Sequence, residues 1–428
     1  MRIAKRILTL LCACGMLLPY TGCRQNSSSH VTTNQMESAV SSAIVTEPSW
    51  TPADPTLNLP SLQLGYTTEE MCKRAMINTG NQARLANVMK KAADNKKVTI
   101  GCIGGSITQG SGAASSSENY AFYHVSWWVK QFPQNAALNF VNAGIGATGS
   151  YIGVHRAAED LLSQKPDVVV VEFSVNDTDA AFNYKTYDSL IRKILQADNQ
   201  PAVILLFMCQ ENNTTLAKTH MQIGEAYDLP MISYQNAVMP EIEKNTFLWS
   251  DIAVDHIHPN SNGHGIIGEL LWNYYNSVYA QLDTIDTTLL TFDTESPTGD
   301  LYADAELLNA SEIMPIANTG FQNQTVMYQF PDNWVANTEG ASLTFEVEAR
   351  NIGILYQRTI HGKSGQYEVY VDGTLTKTLD GDFKGGWGDY AEATEVFASD
   401  KKTKHKIEIK GKEGSTAYQF AVLGLLIS

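Results

Sequence analysis

Four apolar runs restrict what this chain can fold into: KVTIGCIG (97–104), LNFVNAG (138–144), DVVVVEFSV (167–175) and AVILLFMC (202–209). A strand with one wet face alternates polar and apolar residues, whereas these runs are near-continuous, so both faces are expected to be buried. Stretches with helical spacing, such as Gly153–Ser163 and Tyr184–Ala197, lie between them. Buried strands separated by helices predict a parallel sheet covered on both sides, here within residues 63–282. Sheets of this kind gather functional residues in the loops beyond the carboxyl ends of their strands.

After about Asp283 the period changes. SLTFEVEAR sets Leu343, Phe345 and Val347 against polar neighbours, QYEVYVDGTLTKTL reads as a hairpin around Asp372-Gly373, and HKIEIKGKEG keeps the same alternation. Period-two strands with Gly and Asp turns predict an antiparallel β-sandwich over residues 283–428. A chain of 428 residues with 43% hydrophobic and 18% charged residues has material for two such cores.

The N-terminus has another character. Arg2, Lys5 and Arg6 precede the apolar run Ile7–Leu18, too short to span a bilayer comfortably and suited to a signal-peptide core. Residues 1–22 resemble a bacterial lipoprotein signal, which implies lipidation of Cys23, although Tyr20 stands where leucine is usual. Residues 23–62, rich in Ser, Thr, Asn and Pro, are expected to form a flexible tether. The expected location is extracytoplasmic, on the cell surface or secreted, with the membrane reached only through the anchor. The formal charge is −15, and loss of the three cations in residues 1–22 leaves −18. An acidic surface argues against nucleic acid and anionic substrates as partners. Of six cysteines, Cys12 and Cys14 leave with the signal; Cys102 and Cys209 are expected to be buried free thiols, Cys72 makes the remaining set odd, and no zinc spacing is present.

One glycine-rich turn follows the first run: IGGSITQG, with Ser106 at its centre. It lacks the lysine of a phosphate-binding loop, because Ser111 follows Gly110. It also lacks dinucleotide spacing, and Thr108 occupies the last position of a Gly-x-Ser-x-Gly elbow. Alone it is a structural turn; a nucleophile needs a base. DIAVDHIHPN supplies one candidate, since Asp255 and His258 three apart share a face on a helical turn. A histidine held at one nitrogen by a carboxylate can take a proton from a serine at the other. His256 points elsewhere in that geometry. A metal reading of Asp255, His256 and His258 has no further ligand cluster to support it, and lone His220 and His264 read as helix or core residues. Asn176, just after the third run in FSVNDTD, and the backbone of NAGIGATGS could donate hydrogen bonds to a developing oxyanion.

These segments, in this order, resemble the SGNH/GDSL hydrolases over about residues 95–275. The resemblance implies a flavodoxin-like three-layer α/β/α sheet with no cofactor and no metal. It implies Ser106 as nucleophile, His258 as base, Asp255 as its orienter, and an oxyanion hole from Ser106, Ala147 and Asn176. The departures are Gly105 for the usual aspartate, Ser174 for glycine two residues before Asn176, and Ala147 at the customary oxyanion glycine, with Gly146 one earlier. Alanine suits a backbone donor there if its φ is negative. Secreted bacterial members with an added β-sandwich resemble esterases that deacetylate polysaccharides, so an acylated carbohydrate is the expected partner. Trp249 and Trp387 could stack on sugar, whereas Trp127 and Trp128 read as helix core. Two alternatives share these features: a lysophospholipase or thioesterase on the same machinery, and a surface carbohydrate-binding protein with a decayed site.

Overall fold

The computed structural model describes residues 67–288, 292 and 294–428. The expected signal peptide, the Cys23 anchor and the linker to residue 62 lie outside the described residues. Six strands form the first sheet: β1 (Met76–Asn78), β2 (Val98–Gly104), β3 (Leu138–Gly144), β4 (Val168–Glu172), β5 (Ala202–Phe207) and β6 (Met231–Ser233). Their order is β1-β6-β5-β4-β2-β3, all parallel except β1, which pairs antiparallel with β6. Without β1 the order is that of the flavodoxin-like doubly wound sheet. The four apolar runs are β2 to β5.

The two faces are separated residue by residue. Val168 and Val170 of β4 enter one core with Leu85, Trp128 and Leu270, from helices Ala83–Ala93, Tyr120–Gln131 and Ser261–Tyr279. Val169 and Val171 enter the other with Val154, Leu190 and Ile223, from helices Ser150–Asp160, Ala180–Leu195 and Ala217–Ala226. Full burial of each such valine contributes about 1.5–3 kcal/mol relative to exposure. β3 departs from the expectation of two buried faces: it is the edge strand, and most of its residues are only half-buried.

The second sheet has nine antiparallel strands. Its longest members, Ser342–Arg358 and Tyr390–Gly411, pair along most of their length, with register shifts at Ala349/Asn351 and Ile352/Gly353. The first half of Ser342–Arg358 also pairs Ala317–Thr319, and its second half pairs Phe420–Ile427. The bulged strand therefore serves both layers of a sandwich around Leu343, Phe345, Ile354 and Trp334. The hairpin expected at Asp372-Gly373 is present, with φ of 51° and 80° at those residues and Val371 paired to Thr374. All described residues belong to one compact unit. Among them, no helix is long and apolar enough to cross a membrane.

Candidate active site

Three strand ends and one loop bring the sequence candidates together. β2 ends at Gly104, and Ser106 opens the short helix Ser106–Gln109, so its N–H has no intrahelical acceptor. Ser106 Oγ lies 2.9 Å from His258 Nε2, and His258 Nδ1 lies 2.7 Å from Asp255 Oδ2. With the carboxylate accepting Nδ1–H, Nε2 is left to accept the serine hydroxyl.

Asp255 and His258 do not share a helical turn, contrary to the spacing argument. Residues 254–257 form a bend closed by Val254 N–H donating to the His258 carbonyl. What replaces the helix is an Asx-type turn: Asp255 Oδ1 accepts the N–H groups of Ile257 and His258, each at 2.7 Å. Partial burial raises the Asp255 carboxyl, but the hydrogen bonds from the His258 ring and these two amides outweigh it and hold it below the ordinary aspartate range. The loop is pinned at both ends. Trp249 Nε1–H donates to the Asp255 carbonyl at 2.7 Å, and Asn260 caps the helix Ser261–Tyr279. Trp249 is thus buried support for this loop, without a face for sugar. His256 is exposed, and among the described residues its one hydrogen bond is from Glu211 N–H to its carbonyl. His258 has both ring nitrogens committed to Ser106 and Asp255. Among the described residues no group of three or more His, Cys, Asp or Glu side chains converges as metal ligands.

The oxyanion candidates lie beside Ser106. A Cβ on Gly105 would stand 2.2 Å from Asn176 Oδ1 and 2.9 Å from Nδ2, so the amide occupies the space a side chain at 105 would need. Gly105 is there for this close approach; its φ of −89° makes no special demand. Asn176 Oδ1 is buried without a partner, and Nδ2 makes no hydrogen bond among the described residues. Which end of the amide faces the nucleophile follows from the network that forms around a substrate. Ala147 adopts φ of +58°, not the negative value expected for an alanine donor. The preceding N–H, that of Gly146, is taken by Gln109 Oε1 at 2.7 Å, whereas the Ala147 N–H has no hydrogen-bond acceptor among the described residues. The left-handed turn costs about 1–2 kcal/mol for an L-residue. Of the three departures, Ser174 is buried and its Oγ both donates to the Met208 carbonyl and accepts Met208 N–H just beyond β5.

Sequence reasoning missed the supports. Gln109 and the buried Arg156, which donates to the carbonyls of Gly104 and Ala143, carry no motif that marks them, and Trp249 reads in the sequence as a stacking residue rather than a support. Glu172, at the end of β4, is buried under the Ser106 turn; desolvation raises its carboxyl to about 8, opposed by Thr108 Oγ1. His264 is a core residue, accepting Tyr120 N–H and donating to the Ser111 carbonyl, and burial lowers it to about 4. Cys102 and Cys209 are buried free thiols, as expected.

A hydroxyl, an imidazole and a carboxylate thus stand in series at the carboxyl edge of a doubly wound α/β sheet. Residues 102–266 match the GDSL-like Lipase/Acylhydrolase family. A crystal structure of a two-domain esterase, CEX, active on acetylated mannans, aligns with TM-score 0.77 at 30% identity, over 83% of this chain and 98% of that one. The same esterase co-crystallized with mannopentaose gives TM-score 0.76 at 30% identity, over 83% and 97%. A comparison with curated proteins finds no match. The chain belongs to the GDSL-like lipase/acylhydrolase family and is an ester hydrolase of that family.

Proposed function

We propose that this enzyme removes acetyl groups from polysaccharides or oligosaccharides through Ser106, His258 and Asp255. The observation that carries the reading is the continuous series Asp255–His258–Ser106 next to an unpartnered Asn176 amide. Ser106 Oγ attacks the acyl carbonyl while His258 Nε2 takes its proton. The tetrahedral oxyanion is held by the N–H groups of Ser106 and Ala147 and by the Asn176 amide. Collapse expels the sugar alkoxide, which receives the proton from His258, and water then repeats the cycle on the acyl-serine. The match to CEX through both sheets supports acetylated mannan as the first substrate to examine.

Trp387 supports sugar contact at a second point. It is 69% exposed on the DFKGGWGDY loop and is braced by Phe383 and Tyr390, with ring centroids 5.9 and 5.2 Å away. A longer acyl chain is the second reading, favoured by exposed Leu248 and Val254 close to Asp255 in the chain. The signal-like residues 1–22 and Cys23 support a lipid-anchored or secreted enzyme. Acetate release from acetylated mannan, xylan and pectin tests the proposal, with acetyl, butyryl and octanoyl esters run in parallel. Release lost in Ser106→Ala supports it; octanoyl preference, or activity retained in that variant, overturns it.

A further inference from the structure

The two arms of the oxyanion hole lie on different loops, after β3 and after β4, and one buried side chain touches both. Asp177 follows Asn176 directly. Its Oδ1 accepts the N–H of Ser150 at 2.8 Å, the first residue of the helix Ser150–Asp160 that begins two residues beyond Thr148 and three beyond Ala147. A Cβ on Gly149 would come 2.6 Å from the same oxygen, so the loop backbone is pressed against this carboxyl group. Asp177 Oδ2 accepts His220 Nε2–H at 3.0 Å, and both side chains are fully buried. The His220 ring lies flat on Tyr187, with centroids 3.7 Å apart and planes at 3°, which fixes the direction of its donor. His220 Nδ1 is buried without a partner, consistent with the hydrogen residing on Nε2.

We propose that Asp177, held by His220, is a positioning residue that locks the Ala147 N–H and the Asn176 amide into one oxyanion hole. The proposal rests on the esterase reading above. Asp177 touches no reacting atom. Removing it unties the start of the helix from the Asn176 loop, so two donors lose their mutual distance while Ser106, His258 and Asp255 keep theirs. A group that acts this way alters turnover more than substrate binding, because the oxyanion forms only after attack.

The test is steady-state hydrolysis of p-nitrophenyl acetate by the whole enzyme and its Asp177→Ala, Asp177→Asn, Gly149→Ala, Asn176→Ala and Asn176→Ala/Asp177→Ala variants, with thermal unfolding recorded for each. Asp177→Ala is expected to lose roughly 30–300-fold in kcat with KM within about threefold. Asp177→Asn, which keeps an oxygen for Ser150 N–H, is expected to recover to within about tenfold of the parent. Gly149→Ala pushes on the carboxyl without replacing it and is expected to lose kcat as well. In the Asn176→Ala background the Asp177→Ala loss is expected to shrink, since one of its two targets is already gone. An Asp177→Ala enzyme within threefold of the parent kcat, or losses that multiply fully in the double variant, overturns the proposal. Should Asp177→Ala fail to fold, Gly149→Ala and Asp177→Asn carry the test: parental kcat in the first, or no recovery in the second relative to Asn176→Ala, overturns it. Activity persisting in Ser106→Ala would instead defeat the esterase reading, so the two failures are distinct.

Discussion

Gly105→Ala separates the reason for the glycine from its reputation as a flexible residue. The backbone at 105 has negative φ, so an alanine is not resisted by left-handed geometry. What resists it is Asn176: the new methyl carbon would lie 2.2 Å from Oδ1, 2.7 Å from Cγ and 2.9 Å from Nδ2. Ordinary contact lies at 3.4–4 Å, so the amide must retreat by about 1 Å or more. A displacement of that size in a positioned group costs about 10²-fold, and loss of one oxyanion donor about 10²–10³-fold in kcat. Overpacking adds about 1–3 kcal/mol of destabilisation, a shift of a few degrees in Tm. The expected result is therefore a folded enzyme with kcat for p-nitrophenyl acetate near that of Asn176→Ala. The decisive comparison is Gly105→Ala introduced into Asn176→Ala, where the obstructing amide is absent and the further loss should fall below about threefold. An unimpaired single variant, or an equal loss in both backgrounds, would refute the steric reasoning.

Three further outcomes follow from the same geometry. Asp255→Asn keeps the shape of the turn but offers an N–H to His258 Nδ1, reversing the tautomer; a kcat loss of roughly 10³–10⁴ is expected, and a loss under tenfold contradicts the assigned role. Glu172 is raised from 4.5 to about 8 by burial, so between those values the folded state holds a proton that the unfolded state has released. Stability should then fall as pH rises from about 4.5 to 8, by on the order of a few kcal/mol, and Glu172→Gln should flatten that slope in urea unfolding series. Trp387→Ala should raise KM for acetylated mannooligosaccharides roughly tenfold while leaving p-nitrophenyl acetate unchanged; equal effects on both would remove the sugar-stacking role.

The parallel sheet was legible because β2, β4 and β5 are long and apolar on both faces, a pattern few other structures satisfy. β1 and β6 were not, since three residues each are too short to show a period. Ser106, Asn176, Asp255 and His258 stood out because a hydroxyl and an amide just after apolar runs, with a carboxylate three residues from an imidazole, are a scarce combination. The conformation that joins Asp255 to His258 was misread, because a spacing of three fits a helical turn and an Asx turn equally well. The sign of φ at Ala147 was also invisible: the residue sits between Gly146, bonded to Gln109, and Ser150, bonded to Asp177, contacts that link positions far apart in the chain. Support residues of this kind have ordinary side chains, and only the fold gives them a role.

The second sheet poses the same difficulty on a larger scale, and one substitution exposes it. Its alternation reads as a β-sandwich over residues 283–428 and says nothing of neighbours, yet Leu355, Leu423 and Leu426 share a core with Val154, Leu190 and Ile194 of the first sheet's helices. Polar contacts follow the apolar ones: Tyr151 OH donates to Asn351 Oδ1 at 2.9 Å, and Asn351 Nδ2 and Tyr302 OH both donate to Glu395 Oε1. Tyr151 is the second residue of the helix that follows the Ala147 loop, so the sandwich grips the structure that carries a proposed oxyanion donor. At Gly353 a Cβ would lie 2.2 Å from Tyr151 OH and 3.0 Å from its Cζ. Gly353→Ala must therefore push the phenol from its buried bond, at a cost of about 1–3 kcal/mol from packing. Because Tyr151 and the Ala147 loop adjoin, kcat for p-nitrophenyl acetate is expected to fall with Tm, although residue 353 belongs to the other sheet. A normal Tm with parental kcat would mean that the two lobes meet without mechanical consequence. A lowered Tm with unchanged kcat would confine the sandwich to stability and leave the oxyanion loop to be held by the hydrolase lobe alone.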